Sequence, residues 1–119
     1  ERSELAGCWQ GKAQMDVGSR TDVLDACPKA LGMMMAIRSL GPQVIVCDEI
    51  GRKEDADALQ ECVNAGVSVI SSVHARDLNE ARKRPLLKEV LAAGAFKMLI
   101  TLSRRQGPGT VEEMVRWDL

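Results

Sequence analysis

The sequence predicts a mixed α/β fold with a mainly parallel sheet and a carboxyl-terminal β-hairpin. Three observations carry this. Val44-Ile45-Val46-Cys47 is a short continuous apolar run that follows the Gly41-Pro42 breaker. Val67 to Val73 is rich in β-branched residues and follows Gly66. Between them, Glu54 to Asn64 places Ala56, Leu59 and Val63 at i, i+3 and i+7, the spacing of an amphipathic helix. Strand, helix and strand within about 30 residues make a βαβ unit, whose two strands run parallel. Continuous rather than alternating hydrophobicity fits a sheet covered on both faces.

The remaining elements come in chain order. Ala30 to Leu40 reads as a helix, with Leu31, Met34 and Met35 on one face, Met33, Ile37 and Leu40 nearby, and Pro28 just before or in its first turn. The Met33-Met34-Met35 run suits core packing better than metal binding. Asp77 is placed to cap a short helix through about Arg84, which Pro85 interrupts. Leu86 to Ala93 is a second short helix with Leu87, Val90 and Leu91 inward, ended by Gly94. Phe96 to Ser103 is a third strand, and Gln106-Gly107-Pro108-Gly109 is a turn. Thr110 to Trp117 then returns as the second strand of a hairpin.

Composition narrows the function classes. The 119 residues suit one domain and carry a net charge of −1, so no global field draws in nucleic acid or membrane. No apolar run approaches the ~20 residues of a membrane span. The charge is uneven, however. Residues 1–75 hold 7 basic and 11 acidic side chains, whereas residues 76–105 hold 8 and 3. The densest basic stretch is Arg82-Lys83-Arg84, either a solvated helix end or a contact for an acidic partner. Aromatic residues are too sparse for a stacking platform that reads single-stranded nucleic acid. Cys8, Cys27, Cys47 and Cys62 form no C-x-x-C pair, and the single histidine, His74, is distant in sequence. Reduced structural thiols are expected rather than a zinc site.

The strongest chemical signal is Val44-Ile45-Val46-Cys47-Asp48-Glu49, four apolar residues followed by Asp-Glu. This is the Walker B pattern of nucleotide triphosphatases. A carboxylate at the carboxyl end of a buried parallel strand faces the crevice where ligands bind in open α/β sheets. Asp48 there can hold Mg²⁺ through water, and Glu49 can polarise the water that attacks a γ-phosphate. The competing reading is that acidic residues end strands because they meet solvent. Ser71-Ser72-Val73-His74-Ala75 ends the next strand, which puts His74 within reach of the acidic pair or a phosphate. Adjacent strand ends lie only ~5 Å apart. Gly7-Cys8-Trp9-Gln10-Gly11-Lys12 is not a P-loop: three residues separate its glycines and Ala13 replaces the Ser or Thr.

Pro42 to Arg52, the helix after it, Ala65-Gly66 and Ser71 to Ala75 together resemble the secretion ATPase superfamily. Its members carry a RecA-like core with Walker A, an Asp box, Walker B and a His box in that order. Asp48 stands where many secretion motors have glycine, as in AAA+ ATPases more generally. A closer resemblance is to the stage III sporulation protein AA family of spore-forming bacteria. It rests on Glu1 to Cys8, Asp16 to Asp25, Gly32 to Met35, Asp48 to Asp55 and Gly107 to Glu113. The resemblance implies that residues 1–119 are the carboxyl-terminal part of a three-layer RecA-like ATPase domain. Walker A and an amino-terminal domain are then expected before Glu1, which would also account for the missing initiator Met.

The resemblance assigns roles residue by residue. Asp48 and Glu49 look like Walker B, His74 the His box, and Glu1 and Glu4 the remainder of the Asp box. Arg20 and Arg52 match family arginines that contact nucleotide or a neighbouring subunit. It also implies ATP and Mg²⁺ in the full-length protein and a hexamer of this chain. The partners are membrane secretion-channel components, and no nucleic acid is expected. The location is cytoplasmic and peripheral to the inner membrane, on the mother-cell side. The fragment alone is expected to be inactive. Two other functions stay open: a non-enzymatic α/β module docking a partner through residues 82–88, and a DNA-handling RecA-like ATPase.

Overall fold

In the computed structural model, residues 4–117 are described. The elements run α1 (Lys29–Ser39), β1 (Val44–Val46), α2 (Lys53–Asn64), β2 (Ser68–Ile70), α3 (Leu78–Lys83), α4 (Pro85–Ala92), β3 (Met98–Ser103) and β4 (Thr110–Arg116). The helices and strands expected from hydrophobic periodicity are all present, with ends that coincide or shift by up to three residues. Asp77 caps α3 as expected, its carboxylate accepting from the Glu80 N–H at 2.8 Å. Pro85 opens α4 instead of merely interrupting a helix.

β1 and β2 pair in parallel, with Val44 opposite Ser68 and Val46 opposite Ile70, and α2 makes the crossover. α2 ends in a Schellman turn: Val67 N–H donates to the Cys62 carbonyl at 2.9 Å and Gly66 N–H to Val63 at 3.1 Å. That turn needs a positive φ at the residue after the cap, and Gly66 supplies it at 73°. α2 is thereby stopped just before β2 has to start.

The sheet arrangement differs from the single, mainly parallel sheet expected. Among the described residues there are two separate two-stranded sheets, the parallel pair β1-β2 and the antiparallel hairpin β3-β4. In the hairpin, Met98 faces Arg116 and Ser103 faces Thr110, with a register shift between Thr101 and Leu102. The expectation of a sheet covered on both faces is also corrected. Ile45 and Val69 pack against the core, but Val44, Val46 and Ile70 are exposed. In β3, Met98, Ile100 and Leu102 are exposed while Leu99 packs inward.

The core sits between α1, α2, α4 and the inner face of β1-β2. It gathers Met33, Cys47, Ile50, Ala56, Ala58, Leu59, Cys62 and Val90. A smaller cluster of Ala81, Leu87 and Leu91 joins α3 and α4 to Phe96, Leu99 and Trp117. On α4 the inward residues are Leu87, Val90 and Leu91, and on α2 Ala56 and Leu59 are buried, as the spacing required. On α1 packing chooses among the apolar residues: Met33 is in the core, with Met34 and Ile37 packed against it. Gly32, Met33 and Ala36 are buried, whereas Leu31 and Met35 are exposed. α1 is apolar on most sides, so periodicity could not choose which stripe meets α2. Cys47 and Cys62 are buried free thiols, and burial pushes both thiols up from their ordinary pKa.

Leu59 is 1% exposed at the centre of the larger cluster. Leu59→Ala should lower stability by about 2–5 kcal/mol, seen as a lower urea midpoint with an unchanged slope. The same truncation at the exposed Leu31 should change it by about 0.5 kcal/mol or less.

Candidate functional site

The apolar run of β1 ends at Val46, and Cys47 and Asp48 carry the chain on into the core. The stretch after β1 is knitted to the stretch after β2. Cys47 N–H donates to the Ile70 carbonyl at 2.9 Å, and Ile50 N–H to Ser72 at 3.1 Å. The side chains continue the pattern. The Cys47 thiol donates to the Ser71 hydroxyl at 3.3 Å, and that hydroxyl donates to the Asp48 carbonyl at 3.1 Å. Asp48 and Glu49 are thus held at the carboxyl end of a parallel pair by backbone and side-chain bonds together.

Asp48 is a buried acid, 7% exposed. Lys29, the first residue of α1, reaches it: Nζ lies 3.2 Å from Asp48 Oδ1 and 4.0 Å from Asp55 Oδ2, and it donates to the Glu49 carbonyl. Lys29 is itself only 10% exposed along its side chain. Burial alone pushes the Asp48 carboxyl up. The hydrogen bond and positive charge of Lys29 lead the contributions that outweigh it, and the net result lies below the ordinary aspartate value. Asp55, 4% exposed, turns the other way as well: its Oδ2 accepts from the N–H groups of Gly51 and Arg52, both at 3.1 Å. This is the N3 carboxylate of a capping box, and it fixes where α2 starts.

These groups border a hollow of about 320 Å³ whose walls include Glu4, Lys29, Asp48, Glu49, Arg52 and Asp55. Of the residues singled out in the sequence, Asp48, Glu49, Glu4 and Arg52 therefore meet in one place. Arg20 lies on the wall of a larger hollow of about 830 Å³ along α1 and β1, which Glu4, Lys29 and Asp48 also border. His74 is exposed and lines neither hollow, although it lies two residues beyond Ser72, which is bonded to Ile50. Glu1 lies outside the described residues.

Lys29 and Asp55 were not among the expected site residues. Lys29 is the single charge between Cys27 and Ile37, an otherwise uncharged stretch, and Asp55 sits at the N3 position of the α2 first turn. Those two placements were the available signals. The Gly7 to Lys12 segment forms a tight turn, with Trp9 and Lys12 exchanging backbone bonds at 2.8 and 3.0 Å. It is not the strand-to-helix loop of a phosphate cradle. In the basic segment, the Arg82 guanidinium lies 5.0 Å from the centroid of the Trp117 ring and Arg84 pairs with Glu80 at 3.5 Å. Two of its three cations are thus engaged within the fold. Among the described residues no helix is long and apolar enough to cross a membrane.

The Lys29–Asp48 pair gives stability a defined pH dependence. A depressed aspartate stabilises the fold above its unfolded pKa of about 4, and that contribution is lost as pH falls through the folded value. Lys29→Met leaves the buried carboxylate without its ammonium and should cost about 3–5 kcal/mol at pH 7. In that variant the Asp48 pKa lies above its wild-type value, so the gap from wild type should narrow as pH falls through it. Chemical denaturation of both proteins at several pH values measures it.

Comparison with known proteins places this geometry in a family. The family profile described as "Sporulation stage III, protein AA" matches residues 1–116. Stage III sporulation protein AA of Bacillus subtilis (strain 168) is 54% identical over 118 residues, which cover 99% of this chain and 38% of that protein. The chain therefore spans well under half the length of that curated relative. No solved structure matches it. With a profile that takes in nearly every residue and a relative at this identity, the chain belongs to the stage III sporulation protein AA family, a family of sporulation proteins.

Proposed function

We propose that these residues are the Walker B half of a RecA-like ATPase that drives a sporulation-associated, secretion-like complex. The observation that carries this reading is the placement of Asp48. It is a buried acid directly beyond an apolar parallel strand, followed by Glu49 and bordering a polar hollow. In the proposal Asp48 is the metal-side carboxylate. The donor set suits Mg²⁺: Asp48 brings a hard carboxylate oxygen to the wall of the hollow, with Glu49 and Glu4 on the same wall. A magnesium ion that arrives with a nucleotide needs only one or two carboxylates besides water and phosphate oxygens. Bound MgATP supplies the charge neutralisation that phosphoryl transfer requires.

The chain's own groups then have separate tasks. Glu49 accepts the proton of the attacking water, and Glu4 adds negative charge on the same wall to order that water and the cation. His74, from the segment that follows β2, senses the phosphate end. Arg20 and Arg52 contact nucleotide or the next subunit of a hexamer. In this reading the motor docks peripherally on membrane channel components from the cytoplasmic, mother-cell side, and subunit movements do the work.

The sheets support the RecA-like reading of the fold. β1-β2 and β3-β4 leave edges without a strand partner among the described residues, and their outer faces expose Val44, Val46, Ile70, Ile100 and Leu102. Apolar sheet faces and open edges of this kind call for more chain. A Walker A strand set between β2 and β3 would join the two sheets into one.

Glu49→Gln in the full-length protein should reduce ATP hydrolysis by about 10²- to 10⁴-fold while nucleotide binding persists. Unchanged hydrolysis would place the base elsewhere. The 119-residue chain by itself should show no Glu49-dependent hydrolysis.

A further inference from the structure

We infer that Lys29 is a positioning residue that stands in for the metal at Asp48 and must yield its place when Mg²⁺ arrives. The inference rests on the ATPase reading of Asp48 and Glu49. Its own ground is the reach of one ammonium from α1 to three oxygens of the site. Lys29 Nζ is 3.2 Å from Asp48 Oδ1 and 4.0 Å from Asp55 Oδ2, and it donates to the backbone carbonyl of Glu49. The Lys29 ammonium therefore reaches the carboxylate assigned to the metal, the backbone of the residue assigned as base, and the acid that caps α2.

The Lys29 side chain is 10% exposed and Asp48's is 9%, so little water screens a second positive charge brought to the same carboxylate. An ammonium and a divalent cation beside one carboxylate repel each other, and the two bind Asp48 in competition. Lys29 holds the acid in place while the site waits. The same contact weakens metal binding, so the protein distinguishes nucleotide with magnesium from nucleotide without it less sharply than a site lacking the lysine. Freed from Asp48, the ammonium still has the Glu49 carbonyl and Asp55 beside it, so the displacement is a short one within the same hollow.

The test uses the full-length protein and a fluorescent ATP analogue, mant-ATP, titrated in excess Mg²⁺ and in EDTA. The readout is the ratio of the two affinities, a binding quantity independent of turnover. Lys29→Gln should raise the enhancement by magnesium at least about fivefold, the lower end of ordinary coupling between sites. Lys29→Arg, which keeps the charge, should not raise it. An unchanged or smaller ratio in Lys29→Gln, or an equal rise in Lys29→Arg, overturns the inference while the ATPase reading stands. Wild-type protein that binds mant-ATP in neither condition overturns both. The wild type also gives a second readout that does not depend on the variants folding. With saturating mant-ATP, acylation of the Lys29 amine, followed by peptide mass spectrometry, should be faster with Mg²⁺ than in EDTA. Equal rates overturn the inference.

Discussion

Three elements meet at the ammonium of Lys29, and the arrangement of the site depends on that meeting. The lysine enters from the first residue of α1, Asp48 from the turn after β1, and Asp55 from the first turn of α2. Each acid is nearly removed from water, and an unpaired carboxylate there would be costly. Pairing both with one cation, and satisfying Asp55 further with two backbone N–H groups, makes that burial tolerable. The consequence is rigidity where the candidate chemistry lies. α1 cannot slide along α2 without breaking the pair, and the start of α2 is fixed by the acid that shares the lysine.

The second constraint is the lacing of residues 47–50 to residues 70–72. Parallel pairing formally ends at Val46 and Ile70, yet bonds from Cys47 and Ile50 extend the contact beyond the strands. Ser71 contributes by relaying a bond from the Cys47 thiol to the Asp48 carbonyl. Cys47 thus acts as a small buried donor and not as a nucleophile or ligand, consistent with a thiol that burial keeps protonated. Beyond Ser72 the lacing stops. His74 stands exposed beyond this laced region.

The outer surface has a different character from the core. Large apolar side chains project from the outer faces of both sheets while the helices fill the inner side. The two core clusters are already joined at one corner, where Phe96 packs against both. Arg82 stacked on Trp117 helps close the same end, and this cation–π contact is why the basic segment is less available to a partner than its sequence suggests.

Local pattern in the chain was enough to determine the secondary structure, the βαβ connection, the cap at Asp77, the break at Gly66, and the positions of Asp48 and Glu49 beyond β1. Each rests on a short-range rule: period 3.6 or a continuous apolar run, a proline or glycine at a break, and a carboxylate where a strand ends. Tertiary structure decided what local pattern leaves degenerate. The apolar helix α1 could have turned any of several faces inward, and only its packing against α2 selected Gly32, Met33 and Ala36 over Leu31 and Met35. The split into two sheets was equally hidden, because strand periodicity carries no information about which strands are neighbours. Lys29 looked like an ordinary helix-opening residue, since a long flexible side chain reveals its partner only when the elements are in place. Its pairing with Asp48 and Asp55 joins residues 19 and 26 positions away in the chain, a contact that charge pattern along the sequence cannot specify but close packing of α1 on α2 imposes.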